Sequence, residues 1–218
     1  MLKNKKLLFI SVILFVISII LNFPFPHEYR YGELIFSIVN IPIQTTQGIQ
    51  VVGITSLILL ITSLFFLARS LKKYTGRFVL LAIVLAMLLP SMLADSYQKT
   101  LASGIYAISY DEETSECRFD MVTDHTIQAE CEFTFQNYSN DDVNFSIDFY
   151  ETYPFEDIKM VSLMGIHAPY EANIEPNDTK QITLKTMIDV SNMKEHVETG
   201  SASYVNIMIK AGEKVRRL

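Results

Sequence analysis

A membrane protein with three transmembrane α-helices followed by an extracytoplasmic all-β domain is the fold class that this sequence predicts. Three observations carry it. Three long runs without a charged residue lie in the first 94 positions of the 218. A short loop, Arg69 to Arg77, packs four positive charges between two of those runs. From about Ser115 the apolar residues recur with period two, the spacing of half-buried strands.

The basic loop fixes the topology, because Lys and Arg close to a span resist translocation. Arg69, Lys72, Lys73 and Arg77 therefore stay in the cytoplasm, and so do Lys3, Lys5 and Lys6 ahead of the first run. Leu7 to Phe23 is the first span: seventeen uncharged residues, about the minimum for crossing a bilayer core as a helix. Retention as an anchor is preferred over a cleaved signal, since Asn22-Phe23-Pro24-Phe25-Pro26 offers no small-x-small site.

Residues 24–50 form an outer connection with aromatics gathered near its start, as at a membrane interface. Leu34, Ile35, Ile38 and Val39 share one helical stripe ahead of Pro42, which suits a short surface helix; an extended segment is the alternative. Residues 49–68 and 78–94 are the second and third spans. None of the three holds a charge or a histidine, which weighs against proton relays and ion pathways. Ser11 and Ser18, Thr55 and Thr62, Ser56 and Ser63, and Ala82 and Ala86 recur at helical spacing, as close packing of helices in lipid requires. Pro90 can kink the third span, and helical character continues to Leu101 with Asp95 and Lys99 four apart.

The charge divides with the architecture. Residues 1–94 carry eight Lys/Arg against Glu28 and Glu33, whereas residues 95–218 carry ten against twenty-two Asp/Glu. An acidic outer part excludes nucleic acid as a partner, because phosphate binding needs a concentrated positive face. The domain layout is a membrane region over 1–94, a membrane-proximal connection over 95–114 and an extracytoplasmic β domain over 115–218.

Within that domain Cys117, Phe119 and Met121 alternate with polar residues, as do Ile127 to Phe135 and Val143 to Phe149. Apolar runs at Ile158 to Met164, Gln181 to Ile188 and Ser203 to Lys210 extend the series of strands. If Cys117 faces Cys131 in an antiparallel hairpin, Phe119 meets Ala129 and Met121 meets Ile127, leaving Thr123, Asp124 and His125 as the loop. A disulfide there suits an oxidising compartment and contributes about 3 kcal/mol. Free buried thiols and a metal site on Cys117, His125 and Cys131 are the rivals; the latter lacks a fourth ligand and a familiar spacing. No cofactor is implied.

The acidic clusters Asp111-Glu112-Glu113, Asp141-Asp142 and Glu156-Asp157 lack the ligand spacing of a calcium loop and read as solvated surface. Sequons stand at Asn137, Asn144 and Asn177, and Lys214 to Arg217 reads as a frayed tail. The alternating short strands look like the immunoglobulin-like sandwiches of cell-surface proteins, over about the last hundred residues, without the tryptophan between widely spaced cysteines.

The expectation is a non-catalytic, multi-pass plasma-membrane protein, amino terminus cytoplasmic, whose outer β domain binds or positions an envelope protein partner. The lipid bilayer is its other partner. Alternatives are a small transporter or channel component, with homo-oligomers formed through the spans, and an enzyme at the membrane surface using Asp95, His27 or Glu28. No Ser-nucleophile, phosphate-loop or paired-histidine motif supports the last.

Overall fold

Helix α1 (Lys5–Leu21) begins where Asn4 turns its side chain back on the chain. Asn4 Oδ1 accepts from the Lys6 and Leu7 amides at 3.0 and 3.3 Å, occupying two of the donors that a helix start leaves bare. The computed structural model describes residues 2–27, 29–43, 45, 49–150, 160–191 and 199–218. The chain divides into two compact units, Met1–Ser96 and Tyr97–Leu218.

In the first unit α1 is followed by α2 (Tyr31–Ile38), α3 (Val51–Ser70) and α4 (Thr75–Thr100), the last continuing into the second unit. The serine stripes explain the main packing. Ser11 Oγ donates to Ser63 O and Ser63 Oγ to Ser11 O, both at 2.9 Å, and Ser18 Oγ donates to Ser56 O at 3.0 Å. Residue numbers that fall in one helix as they rise in the other make α1 and α3 antiparallel. A seven-residue step keeps the small side chains on one seam, where the backbones approach closely. The Lys3 and Asn4 amides both donate to Ser70 O, at 2.7 and 3.2 Å, closing the seam at its far end. Lys3, Lys5 and Lys6 thus lie at the same end of the pair as Arg69. The threonine stripe behaves differently: Thr55 and Thr62 donate to Val51 O and Ile58 O of their own helix.

The short helix expected ahead of Pro42 exists as α2, Tyr31–Ile38. Its Gly32 is wedged so tightly that a Cβ there would stand 2.7 Å from Val52 Cγ1 and 2.8 Å from Leu21 O, so no larger residue fits. The helix ends at Ile38 with Val39 as its cap, and Asn40, at φ 55°, turns the chain away ahead of Pro42. Helix α4 runs unbroken through Pro90. Among the described residues, α3 and α4 are long and apolar enough to cross a membrane. The sequence-based count of three spans reduces to two on this measure, because α1 has only 17 residues.

The second unit is built of two antiparallel sheets. In the first, β5 (Thr179–Asp189), β2 (Thr126–Asn137), β1 (Ile108–Thr123) and β6 (Thr199–Ser203) lie in that order. In the second the order is β4 (Tyr170–Ile174), β3 (Val143–Phe149), β7 (Ile207–Ala211) and β8 (Lys214–Arg217). Alternation puts Phe119, Phe133 and Phe135 of the first sheet and Phe145, Ile147 and Ile209 of the second into one fully or almost fully buried core. Phe133 meets Phe149 at 5.9 Å between ring centroids, and Phe135 meets Phe145 edge-on at 5.4 Å. Each such pair adds about 0.5–1.5 kcal/mol beyond the area it buries. The layers are therefore joined as a sandwich.

Several sequence-based boundaries shift. Strand β1 starts at Ile108, inside the stretch read as a connection. Its pairing with β2 jumps register between Asp111 and Glu116, and that bulge hides the alternation. The run ending at Met164 is not a strand where it is described: Met160–Met164 is a short helix, α5, with Met164 fully buried. Residues 158 and 159 lie outside the described residues. The run from Ser203 to Lys210 is broken by Tyr204, at φ 56°, into β6 and β7. Lys214 to Arg217 is β8, paired with β7, and not a frayed tail.

Candidate functional site

The disulfide between Cys117 and Cys131 forms with the register that the alternation requires: Phe119 faces Ala129 and Met121 faces Ile127. Both cysteines are fully buried on the core face. With the thiols consumed in the bond, the metal reading of Cys117, His125 and Cys131 lapses, and no described group of three His, Cys, Asp or Glu could hold a metal. The loop is tighter than expected. Thr123 pairs with Thr126 after a register shift, which leaves Asp124 and His125 as the turn.

Opposite the core, the outward face of the first sheet carries the charged side chains. Neighbouring strands bring Glu116, Arg118 and Asp120 of β1 beside Glu132, Glu130 and Gln128 of β2, and these beside Thr183, Lys185 and Met187 of β5. Beyond β1 the edge strand β6 adds Ser203, Ser201 and Thr199. Much of the charge is matched within the face. Arg118 bonds Glu116 at 2.8 Å, Lys185 bonds Glu130 at 2.7 Å, and Gln181 donates to Glu132 at 2.9 Å. The Arg118 hydrogen bond and charge hold the Glu116 carboxyl below its ordinary value, and Glu116 raises Arg118 in return. Asp120 and Asp124 stand exposed near the hairpin tip. Asp189 at the end of β5 accepts from the Ser191 amide at 2.9 Å, and hydrogen bonds from Ser191 lower its pKa.

The acidic clusters have separate fates. Asp111 to Glu113 lie in the β1 bulge, held where Ser115 Oγ donates to Glu112 O at 2.7 Å and accepts from the Val205 amide at 2.9 Å. Asp141 and Asp142 occupy the exposed β2–β3 turn. Glu156 and Asp157 lie outside the described residues, as does Glu28; His27 stacks on Tyr29 at 4.9 Å.

Two buried polar residues escaped the sequence reading. Asn137, the first sequon, is fully buried. Its Nδ2 donates to Asp141 O, Ile174 O and Glu175 O at 2.9, 3.2 and 3.0 Å, and its Oδ1 accepts from Ser139 N and Oγ at 2.9 and 2.7 Å. It ties the end of β2 to the β4–β5 turn and has no free amide for a glycan. Arg216 of β8, 7% exposed, donates to the carbonyls of Ile105, Tyr106 and Ile108, the turn that leads into β1. Burial pulls its guanidinium down to about 10, which still leaves it charged at neutral pH. A third cluster, where Thr186 of β5 meets His167 Nδ1 at 3.0 Å and Tyr170 donates to Met164 O at 3.0 Å, seals an edge of the sandwich. Burial raises the Tyr170 pKa.

Compared with protein-family models, with curated proteins and with solved structures, the chain finds no match.

Proposed function

We propose that the protein is a non-catalytic membrane-anchored adaptor whose β domain, an immunoglobulin-like sandwich, docks or positions another envelope protein. The observation that carries this reading is a closed aromatic core beneath a patterned polar face: the domain needs no partner to bury its apolar side and presents fixed charge outward. Such a face contributes orientation and association rate more than raw affinity. Residues 95–218 hold ten Lys/Arg against twenty-two Asp/Glu, so the partner surface is basic.

In this reading α1, α3 and α4 are three spans in a plasma membrane. The amino terminus and the Arg69 to Arg77 loop are cytoplasmic, and the β domain is outside. Packing of α1 along α3 from Ser70 to Ser56 supports placing both at one depth, and the shared end of Lys3 and Arg69 supports a common side. A second reading, an oligomeric transporter or channel component, draws on α4, where Leu80, Leu81, Met87 and Leu88 are each more than half exposed.

Crosslinking in native membranes, with wild type beside charge reversal at Asp120, Glu130 and Glu132, tests the proposal. A captured basic protein whose yield falls with the reversals and with rising salt is the expected outcome. Replacing the spans by unrelated ones of the same topology should preserve the phenotype. Activity that follows the identity of the spans and ignores every reversal overturns the adaptor reading in favour of the second.

A further inference from the structure

Arg30 is the only Lys or Arg between residues 24 and 50, on the side that the positive-inside trend leaves poor in cations. Its position is built with care. The Tyr31 amide donates to Phe23 O at 2.8 Å, and Gly32 is wedged against Leu21 O and Val52. The backbone on its C-terminal side is therefore held to both α1 and α3. The guanidinium lies across Gly53 of α3, with Nη1 3.2 Å from where a Cβ would stand. Among the described residues it makes no hydrogen bond or ion pair. The adjoining start of α3 has no acidic residue in its first turn, so its positive dipole end is also uncompensated.

Arg30 borders a groove of about 310 Å³, at the lower end of the size of small-ligand sites. Its lining joins Arg30, Asn22, Ser18 and Ser56 to the apolar Leu57, Leu60 and Ala86. Gly53 to Leu60 is about 10 Å along the helix axis. The groove therefore passes from cationic to hydrocarbon over the distance that separates a lipid phosphate from its acyl chain.

We propose that this groove seats one phospholipid, with its phosphate on Arg30 and the upper part of an acyl chain against Leu57, Leu60 and Ala86. A free anion would leave the apolar wall unused, and a plain hydrocarbon would leave the guanidinium bare in a low-dielectric surrounding, which is costly. The headgroup phosphate satisfies the cation through charge-assisted hydrogen bonds. The inference rests on α1 crossing the membrane beside α3, which opposite thiol accessibility of cysteines placed at Lys3 and at Ile38 tests independently, so the two failures are distinguishable.

The full chain is reconstituted in vesicles of phosphatidylglycerol and phosphatidylcholine, re-extracted, washed in detergent and weighed intact by native mass spectrometry. Wild type should retain one phospholipid per chain, and R30Q should lose retention by about tenfold, as expected for removing a charged hydrogen-bond partner. R30K, which keeps the charge, should recover most of it, and K73Q at the other end of the helices should match wild type. Retention by R30Q equal to wild type, or equal loss in K73Q, overturns the site. Complete displacement of the lipid by inorganic phosphate overturns the phospholipid as its occupant.

Discussion

Replacing Asn137 by Ala removes five contacts at once, made by two N–H donors, one of them shared, and an oxygen that accepts twice. Three involve fully enclosed pairs: Nδ2 to Ile174 O, and Oδ1 to the amide and hydroxyl of Ser139. The other two acceptors, Asp141 O and Glu175 O, belong to exposed residues and regain water. At about 1–1.5 kcal/mol for each enclosed bond and about half that for the remaining N–H, shared by Asp141 O and Glu175 O, N137A should destabilise the β domain by about 3.5–5 kcal/mol. N137D is expected to do worse despite its near-identical shape, since a carboxylate has no donor for the three carbonyls that Nδ2 serves. Urea unfolding of the full chain in detergent, followed by the β-sheet signal, reads both values. A loss below about 1 kcal/mol for N137A, or wild-type stability for N137D, would show that the buried amide is not a structural tie. Expression in a eukaryotic secretory pathway supplies a second readout: Asn137 should stay unmodified however the exposed Asn177 behaves.

The disulfide leaves no free thiol, so a cysteine placed at Thr75 or Asp142 reports alone. In intact cells an impermeant reagent should label the Asp142 position and spare the Thr75 position; equal labelling removes the topology. The double variant C117A/C131A should lose about 2–5 kcal/mol, checked by denaturant unfolding, and native protein that alkylates at both thiols refutes the bridge. Because Arg118 holds the Glu116 carboxyl below its ordinary value, this pair contributes stability that is full above the normal carboxylate range and disappears as pH falls through the lowered value. R118Q should flatten that part of the acid titration, and an unchanged acid limb counts against the pair.

How far the fold could be read from the residues depended on whether one local signal stood alone. The β1–β2 register was legible because alternation and the two cysteines demanded the same pairing. The start of β1 was not, since the bulge between Asp111 and Glu116 inserts acidic residues where the period should continue. Four apolar positions around Val161 fit a short strand or a helical turn equally well, and packing of Val161, Leu163 and Met164 against the core decided for the turn. Arg216 and Asn137 were misread for one reason: both are residue types that belong to surfaces, and only tertiary partners turn them inward. The serine stripes announced close packing, but spacing alone does not choose which helix answers. Nor did the sequence single out Arg30, whose interest comes from the groove that folding places beside it.

The hold that Arg216 keeps on Ile105, Tyr106 and Ile108 has a consequence in time. A chain synthesised amino end first presents the Ile105 to Ile108 turn early and Arg216 about a hundred residues later. Until then β1 and β2 can pair only with each other, because their other neighbours, β6 and β5, also emerge late. The hairpin must wait with Phe119, Phe133 and Phe135 facing water, the condition in which strands aggregate. Folding of this domain therefore has a vulnerable interval that opens once the first hairpin has emerged and closes when the second sheet is complete with β8. A chaperone would have its best substrate there, before Phe119, Phe133 and Phe135 are enclosed.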